Sequence, residues 1–289
     1  MRVSTKKFGK IINDFSRTRR RVFPWRPPEL RIKKDETAAE PYRVLVSEAM
    51  LQQTQVSRVC EKYEAFIKQF PNVRALANAP LSLVLRAWQG LGYNRRALHL
   101  QGAAREILRT HKGEIPRGRE ALETLPGIGP ATACAIRAFA FNEPEIFIET
   151  NIRSVFIHFF FGPRPTGLGP VPLANVRDVE LLPLIEKTLD RRNPREWYYA
   201  LMDYGTMLKK QHKNPSRRST SHVLQKQFKG SLRQARGAVV RAVLEHPHSL
   251  LELKKSLRLE SDKVEQAVLG LTEEGFLKKA NRKYVVGGE

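Results

Sequence analysis

The chain has 289 residues, 41% of them hydrophobic, with 51 Lys+Arg against 29 Asp+Glu, a formal charge of +22 and only two cysteines. That length and apolar content support a real core in one large or two smaller domains. The charge calls for a polyanion, nucleic acid first, and the cysteine count excludes a disulfide framework or a four-thiolate metal site.

Apolar periodicity runs almost end to end, unlike the basic low-complexity tails of ribosomal or chromatin-like binders. No apolar run reaches spanning length and the N-terminus lacks the apolar core of a signal peptide, so a soluble intracellular protein with no membrane partner is expected. Cytoplasmic residence follows, nucleoid-associated if the source is prokaryotic.

Phe8, Ile11, Ile12 and Phe15 fall at helical spacing before the cluster Arg17, Arg19, Arg20, Arg21, either a solvated helix end or an arm on a DNA backbone. Phe23-Pro24-Trp25-Arg26-Pro27-Pro28 breaks the helix and sets an aromatic beside a guanidinium, as simple packing or as a wall for a base. Two periodic helical segments lie between Tyr42 and Phe70, joined through Ser47-Glu48-Ala49-Met50-Leu51-Gln52-Gln53-Thr54-Gln55. Glu48 inside so apolar a helix is either an exposed position or a carboxylate whose pKa burial raises. The uncharged cluster Gln52, Gln53, Thr54 suits hydrogen bonding to bases or filling a gap in a base stack. Residues 73–111 predict three helices, with Gly90-Leu91-Gly92-Tyr93-Asn94-Arg95-Arg96 as the break before the last. That turn is a wedge with phosphate contacts, or a helix start with a buried tyrosine.

Leu125-Pro126-Gly127-Ile128-Gly129 separates a short helix from one opened by Pro130, a helix–hairpin–helix. Its glycines permit a tight turn and leave the first amides of the second helix pointing outward for a phosphate oxygen; a plain αα-hairpin is the blander reading. That helix runs to Phe141, and Glu149-Thr150-Asn151 caps the next, where Glu149 at least complements the dipole. Gly162 to Leu173 is a Gly/Pro-rich loop, followed by helices over 178–192 and 195–208. Residues 209–231, acid-free and holding Lys209 and Lys210, read as a mobile basic linker that hugs phosphate. Helices over 235–246, 250–257 and 261–274, then two short strands around Ala280-Asn281-Arg282, are the order of a winged helix.

Taken together, residues from about 8 to 208 resemble the helix–hairpin–helix (HhH-GPD) DNA glycosylase superfamily, in the branch of endonuclease III and the MutY-type adenine glycosylase. The carrying motifs are Phe23-Pro24-Trp25-Arg26, Pro41-Tyr42, Ser47 to Gln55, Gly90-Leu91-Gly92-Tyr93, Leu125 to Gly129 and Met202-Asp203-Tyr204-Gly205, in the family's order and spacing. The resemblance implies an all-α, two-lobed fold: a glycosylase domain over 1–208, the basic linker over 209–231 and a winged-helix domain over 232–289. It implies that Glu48 protonates the purine at N7. The carboxylate that stabilises the sugar cation falls on Glu149, where the family has Asp; one more methylene moves the group by about a bond length. The position two residues after the last hairpin glycine, a Schiff-base lysine in bifunctional members, is Ala131, so no lyase is expected.

The resemblance further places Trp25, Arg26 and Asp203 at the base pocket. It sets Gln53, Leu91 and Tyr93 in the gap left by a flipped base, with Gln52, Thr54 and Gly92 beside them. Gly127 and Gly129 face phosphate. Most relatives carry four cysteines for an iron–sulfur cluster after the position of Met207; this chain has lysines there and resembles the cluster-free minority, so no cofactor is expected. The MutY-type C-terminal domain is also absent. The expected activity is that of a monofunctional, monomeric DNA glycosylase of base excision repair, acting on double-stranded DNA and on adenine or another purine. The alternatives are a glycosylase for a damaged or mismatched pyrimidine and a non-catalytic DNA-binding protein on the same fold.

Overall fold

The computed structural model describes residues 3–26, 39–162, 175–212, 214–224 and 227–288. Most of the Gly/Pro-rich loop expected over 162–173 lies outside the described residues, as do Pro27 and Pro28. The described chain is helical apart from one hairpin, and none of its helices is long and apolar enough to cross a membrane.

Two units emerge. The first comprises residues 1–33, 117–123 and 128–224, the second 34–116, 124–127 and 225–289. In the first unit, α1 (Thr5–Arg19) starts at Ser4, whose hydroxyl accepts from the Lys7 amide. It buries Phe8, whose ring sits 5.1–5.9 Å from Phe156, Phe159, Phe160 and Trp197. The partners lie on α9 (Thr150–Phe161) and α11 (Pro194–Gln211), and α8 (Pro130–Phe141) and α10 (Asp178–Thr188) complete the layer. Phe159 and Phe160 of the aromatic run therefore belong to the core, where a fully buried ring contributes about 2–3 kcal/mol of transfer free energy, while Phe161 is half-buried. The short α7 (Arg119–Glu123) packs on α8, and α8 ends on Asn142 in the left-handed conformation.

The second unit packs α2 (Ala39–Leu51), α3 (Val56–Gln69), α4 (Val73–Asn78), α5 (Leu81–Trp88) and α6 (Arg95–Thr110) around the fully buried Trp88, Tyr63, Phe66, Leu76 and Ile107. Gln101 of α6 donates to the Leu76 and Ala79 carbonyls at 3.2 and 2.7 Å, fixing the end of α4. The same unit includes α12 (Leu232–Glu245), α13 (Leu250–Ser256), α14 (Ser261–Glu273) and the antiparallel pair β1 (Leu277–Ala280) and β2 (Lys283–Val286), with Leu277 opposite Val286. Arg86 of α5 donates to the Leu244 carbonyl of α12, so these C-terminal helices are built into the unit.

The stretch 209–231 departs from the expected mobile linker in its first half. α11 continues to Gln211, and a 3-10 turn over Pro215–Arg218 packs on α9 with Pro215 and Ser216 buried. Asn214 Oδ1 accepts from the Ser216 amide and hydroxyl and from Ser154 Oγ, 2.8–3.1 Å, and Val176 pairs with Ser219. Lysine density signals solvated chain, but four uncharged residues at 214–216 and 219 supply the apolar and capping contacts that order it.

Candidate active site and nucleic-acid interface

Glu48 lies in the last turn of α2, half-exposed, while Val44 to Ser47, Ala49 and Met50 around it are buried. The C-terminal half of α2 therefore presents the Glu48 carboxylate from an otherwise largely apolar run. The turn after it carries Gln52, half-buried, Gln53, exposed with φ +54°, and Thr54. A non-glycine residue in the left-handed region needs surrounding structure to hold it. That structure is Arg96.

Arg96, on the first turn of α6, is almost fully buried and has no carboxylate partner among the described contacts. Its guanidinium donates to the Ala49 and Met50 carbonyls at 2.9 and 2.7 Å, to Thr54 Oγ1 at 2.8 Å, and to the Leu91 and Gly92 carbonyls at 3.2 and 2.8 Å. The first two are end carbonyls of α2 that lack intrahelical partners. One side chain thus ties the end of the Glu48 helix, the Gln52–Thr54 turn and the Leu91–Gly92 turn together. Thr54 Oγ1 adds a bond to the Leu91 carbonyl at 3.1 Å, and Trp88 Nε1 one to the Gly92 carbonyl at 3.2 Å. Burial brings the Arg96 pKa down to about 10, which still leaves it charged at neutral pH.

The two expected wedge segments are therefore adjacent, but Leu91 is not a wedge. Its side chain is 3% exposed and packs in the core, so only its backbone serves the turn. A leucine between two positive-φ glycines reads as a presented apolar tip, yet Gly90 and Gly92 at +93° and +72° turn it inward and leave Tyr93, φ +47° and half-buried, nearer the surface. Arg96 itself was missed: Asn94-Arg95-Arg96 reads as a solvated helix start, and only the close approach of the two turns reveals a buried cation.

In the hairpin, Gly127 has φ +78°, and a Cβ there would lie 2.7 Å from His99 Cβ, so glycine is required twice over. Gly129 caps α8, is exposed, and a Cβ on it would meet nothing within 4 Å. Pro130 and Ala131 beyond it are exposed, no acid occupies the first turn, and the helix dipole adds to the pull on a phosphate oxygen. Burial and the nearby Arg95 lower the His99 pKa, so the ring beside Gly127 is neutral at physiological pH.

Glu149 is the N-cap of α9. Oε1 accepts from the Asn151 and Ile152 amides at 2.8 and 3.0 Å, and Oε2 from Asn151 Nδ2 at 3.2 Å. The carboxylate thus caps its own helix terminus despite the extra methylene. α11 crosses α9 closely here, since a Cβ on Gly205 would fall 2.5 Å from the Asn151 carbonyl oxygen. Lys209, one turn further along α11, is half-buried; burial lowers its pKa and the charge of Glu149 opposes that shift. Lys210 is exposed at the end of the helix.

Asp203 is 1% exposed at the side chain and already satisfied: Oδ2 accepts from the Arg21 amide at 3.0 Å and Arg26 Nη1 at 2.8 Å, Oδ1 from Arg21 Nε at 2.6 Å. Both oxygens are thus engaged by the segment that precedes α2, with three of the carboxylate's roughly four acceptor positions taken. Arg26 stacks over Tyr199 at 4.1 Å, while its Nε and Nη2 are buried without a hydrogen-bond partner among the described residues. Trp25 is half-buried and stacked on Phe23 at 5.0 Å. Arg21 as the second ligand of Asp203 was missed because 182 residues separate them in sequence.

The chain's thiols do not fit an iron–sulfur cluster. There are two in all, and burial pushes the Cys134 thiol, beside Glu145, up to about 11, away from the thiolate a cluster needs.

Residues 46–167, spanning Glu48, the two turns, the hairpin and Glu149, match the family described as HhH-GPD superfamily base excision DNA repair protein. That stretch is similar to the HhH-GPD family. The chain is similar to the adenine DNA glycosylase of Mycobacterium tuberculosis, 36% identical over 185 residues, covering 64% of this chain and 56% of that protein. It is also similar to that of Mycolicibacterium smegmatis, 42% identical over 163 residues, 56% of this chain and 50% of that protein. The chain thus spans just over half the length of these relatives. Among solved structures, a thermostable thymine-DNA glycosylase matches with a TM-score of 0.59 and 25% identity, over 75% of this chain and 92% of that one. The chain therefore shares a helical fold with that structure.

Proposed function

We propose that the protein is a monofunctional DNA N-glycosylase that flips a mispaired or damaged base out of double-stranded DNA and excises it, with adenine the first candidate. The observation that carries the reading is Glu48, the carboxylate in the last turn of α2, whose end Arg96 ties to the Gln52–Thr54 and Leu91–Tyr93 turns. The adenine assignment is supported by relatives of 36% and 42% identity that carry that name.

In this mechanism the phosphate backbone docks on the α8 amides around Gly129, and Gln53 and Tyr93 occupy the gap left by the flipped base. Glu48 gives its proton to adenine N7, the C1′–N9 bond breaks with its electron pair going to the base, and positive charge develops on the sugar. Glu149, held by the Asn151 and Ile152 amides, stabilises that charge; water then adds at C1′ and loses a proton to carboxylate. With Ala131 where a lyase would need an amine, the product is an intact strand with an abasic site. Arg26, whose Nε and Nη2 find no partner among the described residues, lines the base pocket with Trp25 and Asp203 in this reading. Residues 232–286, with helices α12 to α14 and one hairpin, are taken as a winged helix.

Excision of a mismatched thymine is the second reading, favoured by the likeness to the thymine-DNA glycosylase. The experiment is a panel of duplexes with single lesions or mismatches, incubated with protein and then treated with hot alkali. Strand breaks at adenine, and none before alkali, are expected. Breaks only at a pyrimidine would replace the first reading by the second, and an uncut panel would sink both.

A further inference from the structure

The segment C-terminal to the matched region 46–167 supplies side chains to the Tyr93 turn. Arg233, on the first turn of α12, donates from Nη1 to Tyr93 Oη at 2.5 Å, and its guanidinium carbon lies 5.2 Å from the Tyr93 ring centroid. The same carbon lies 5.4 Å from the ring centroid of Phe228, just before the helix. The cation therefore contacts both rings, one on the turn and one on the C-terminal segment. Phe228 is 56% exposed, so a large part of its ring has no protein covering.

An exposed aromatic braced by a cation has a chemical use where nucleic acid is the partner. Every base offers a π-face, and stacking on an aromatic ring tolerates any sequence. The surroundings favour a polyanion. From Tyr204 to Leu244 the sequence holds no acid. Glu274, at the end of α14, accepts from Arg95 and Arg236. Tyr93 is itself held in a left-handed conformation by a turn pinned through Arg96, so the site is attached to rigid backbone.

We propose that Phe228, braced by Arg233 against Tyr93, is a stacking site for an unpaired base of DNA, contributed by the C-terminal segment. The proposal rests on the DNA-glycosylase reading for its substrate, but its test requires no catalysis. Full-length protein is titrated with a fluorescent duplex bearing one unpaired base and with the same duplex fully paired, at fixed salt. Phe228→Ala is expected to weaken binding to the first roughly tenfold and to the second by less than about twofold, since stacking on one ring is lost while phosphate contacts stay. Phe228→Trp restores the preference. Arg233→Lys keeps the charge but loses the fork that reaches Tyr93, and is expected to lower the preference as well.

Equal affinity of Phe228→Ala and wild type for both duplexes would overturn the proposal. So would an equal loss for both, or a loss that Phe228→Trp fails to repair with the melting temperature unchanged, because each marks a structural or purely electrostatic role. If the preference falls as expected while the lesion panel stays uncut, the stacking site stands and the glycosylase reading fails. If the panel is cut and the preference is unchanged in Phe228→Ala, the reverse holds.

Discussion

Among the described residues each unit buries one arginine, and the two are used in opposite ways. Arg96 in the second unit has no described acid partner; it spends its donors on five backbone carbonyls and a hydroxyl of two turns and a helix end. Arg26 in the first unit has an acid, Asp203, which Arg21 shares, and it retains two buried nitrogens without a partner among the described residues. Arg96 fixes backbone geometry where a base would be displaced. Arg26 helps hold the residues after α1 against α11 and keeps donor capacity in reserve. A buried cation does not by itself mark a pocket; what its donors have left over does.

The contrast can be broken most sharply at Asp203. Asp203→Ala strands two guanidiniums, one of them fully buried, and is expected to cost about 3–5 kcal/mol of stability in urea unfolding. A loss under about 1 kcal/mol would mean the arginines find other partners and that the pairing does not hold the segment. Next comes Arg96→Lys, which keeps the charge but cannot reach both turns at once. It is expected to cost about 2–3 kcal/mol and to lower base release more than duplex binding, as a positioning residue should. Unchanged kinetics in a folded Arg96→Lys protein would contradict the hub.

A smaller effect concerns the hairpin. The folded pKa of His99 lies below its unfolded value, first through burial and then through Arg95. The unfolded state therefore takes up the proton more readily, so stability is full above about pH 6.5 and falls as pH drops below it. His158 is also depressed and adds to the same loss, whereas the depressed Asp178 adds one only below about pH 4. The informative quantity is thus the difference between wild type and His99→Gln, whose melting temperature is expected to fall less between pH 7 and pH 5. Parallel curves would remove His99 from the account.

Much of the helical frame was legible. Pro130 opens α8, Asn142 ends it, and Glu149 caps α9 as the sequence suggests, because caps and breakers act on the residues beside them. What was not legible depends on contacts distant in sequence. Arg96 reads as a surface charge until Met50 and Leu91 approach it, Leu91 reads as a tip until its glycines turn it inward, and Asp203 reads as an unengaged pocket acid until Arg21 arrives. The 3-10 turn after α11 was hidden by its lysine-rich neighbours. The identity of the two glycine-bounded turns was correct; which of their side chains faces out required the backbone dihedrals.

The central claim is that Glu48 is the acid of a base-releasing site. Its most direct test is single-turnover release from a duplex with one mispaired adenine, comparing wild type with Glu48→Gln at saturating protein. The account predicts release by wild type and a fall of at least about 100-fold in the variant, with duplex binding retained. Undiminished release by Glu48→Gln would contradict it.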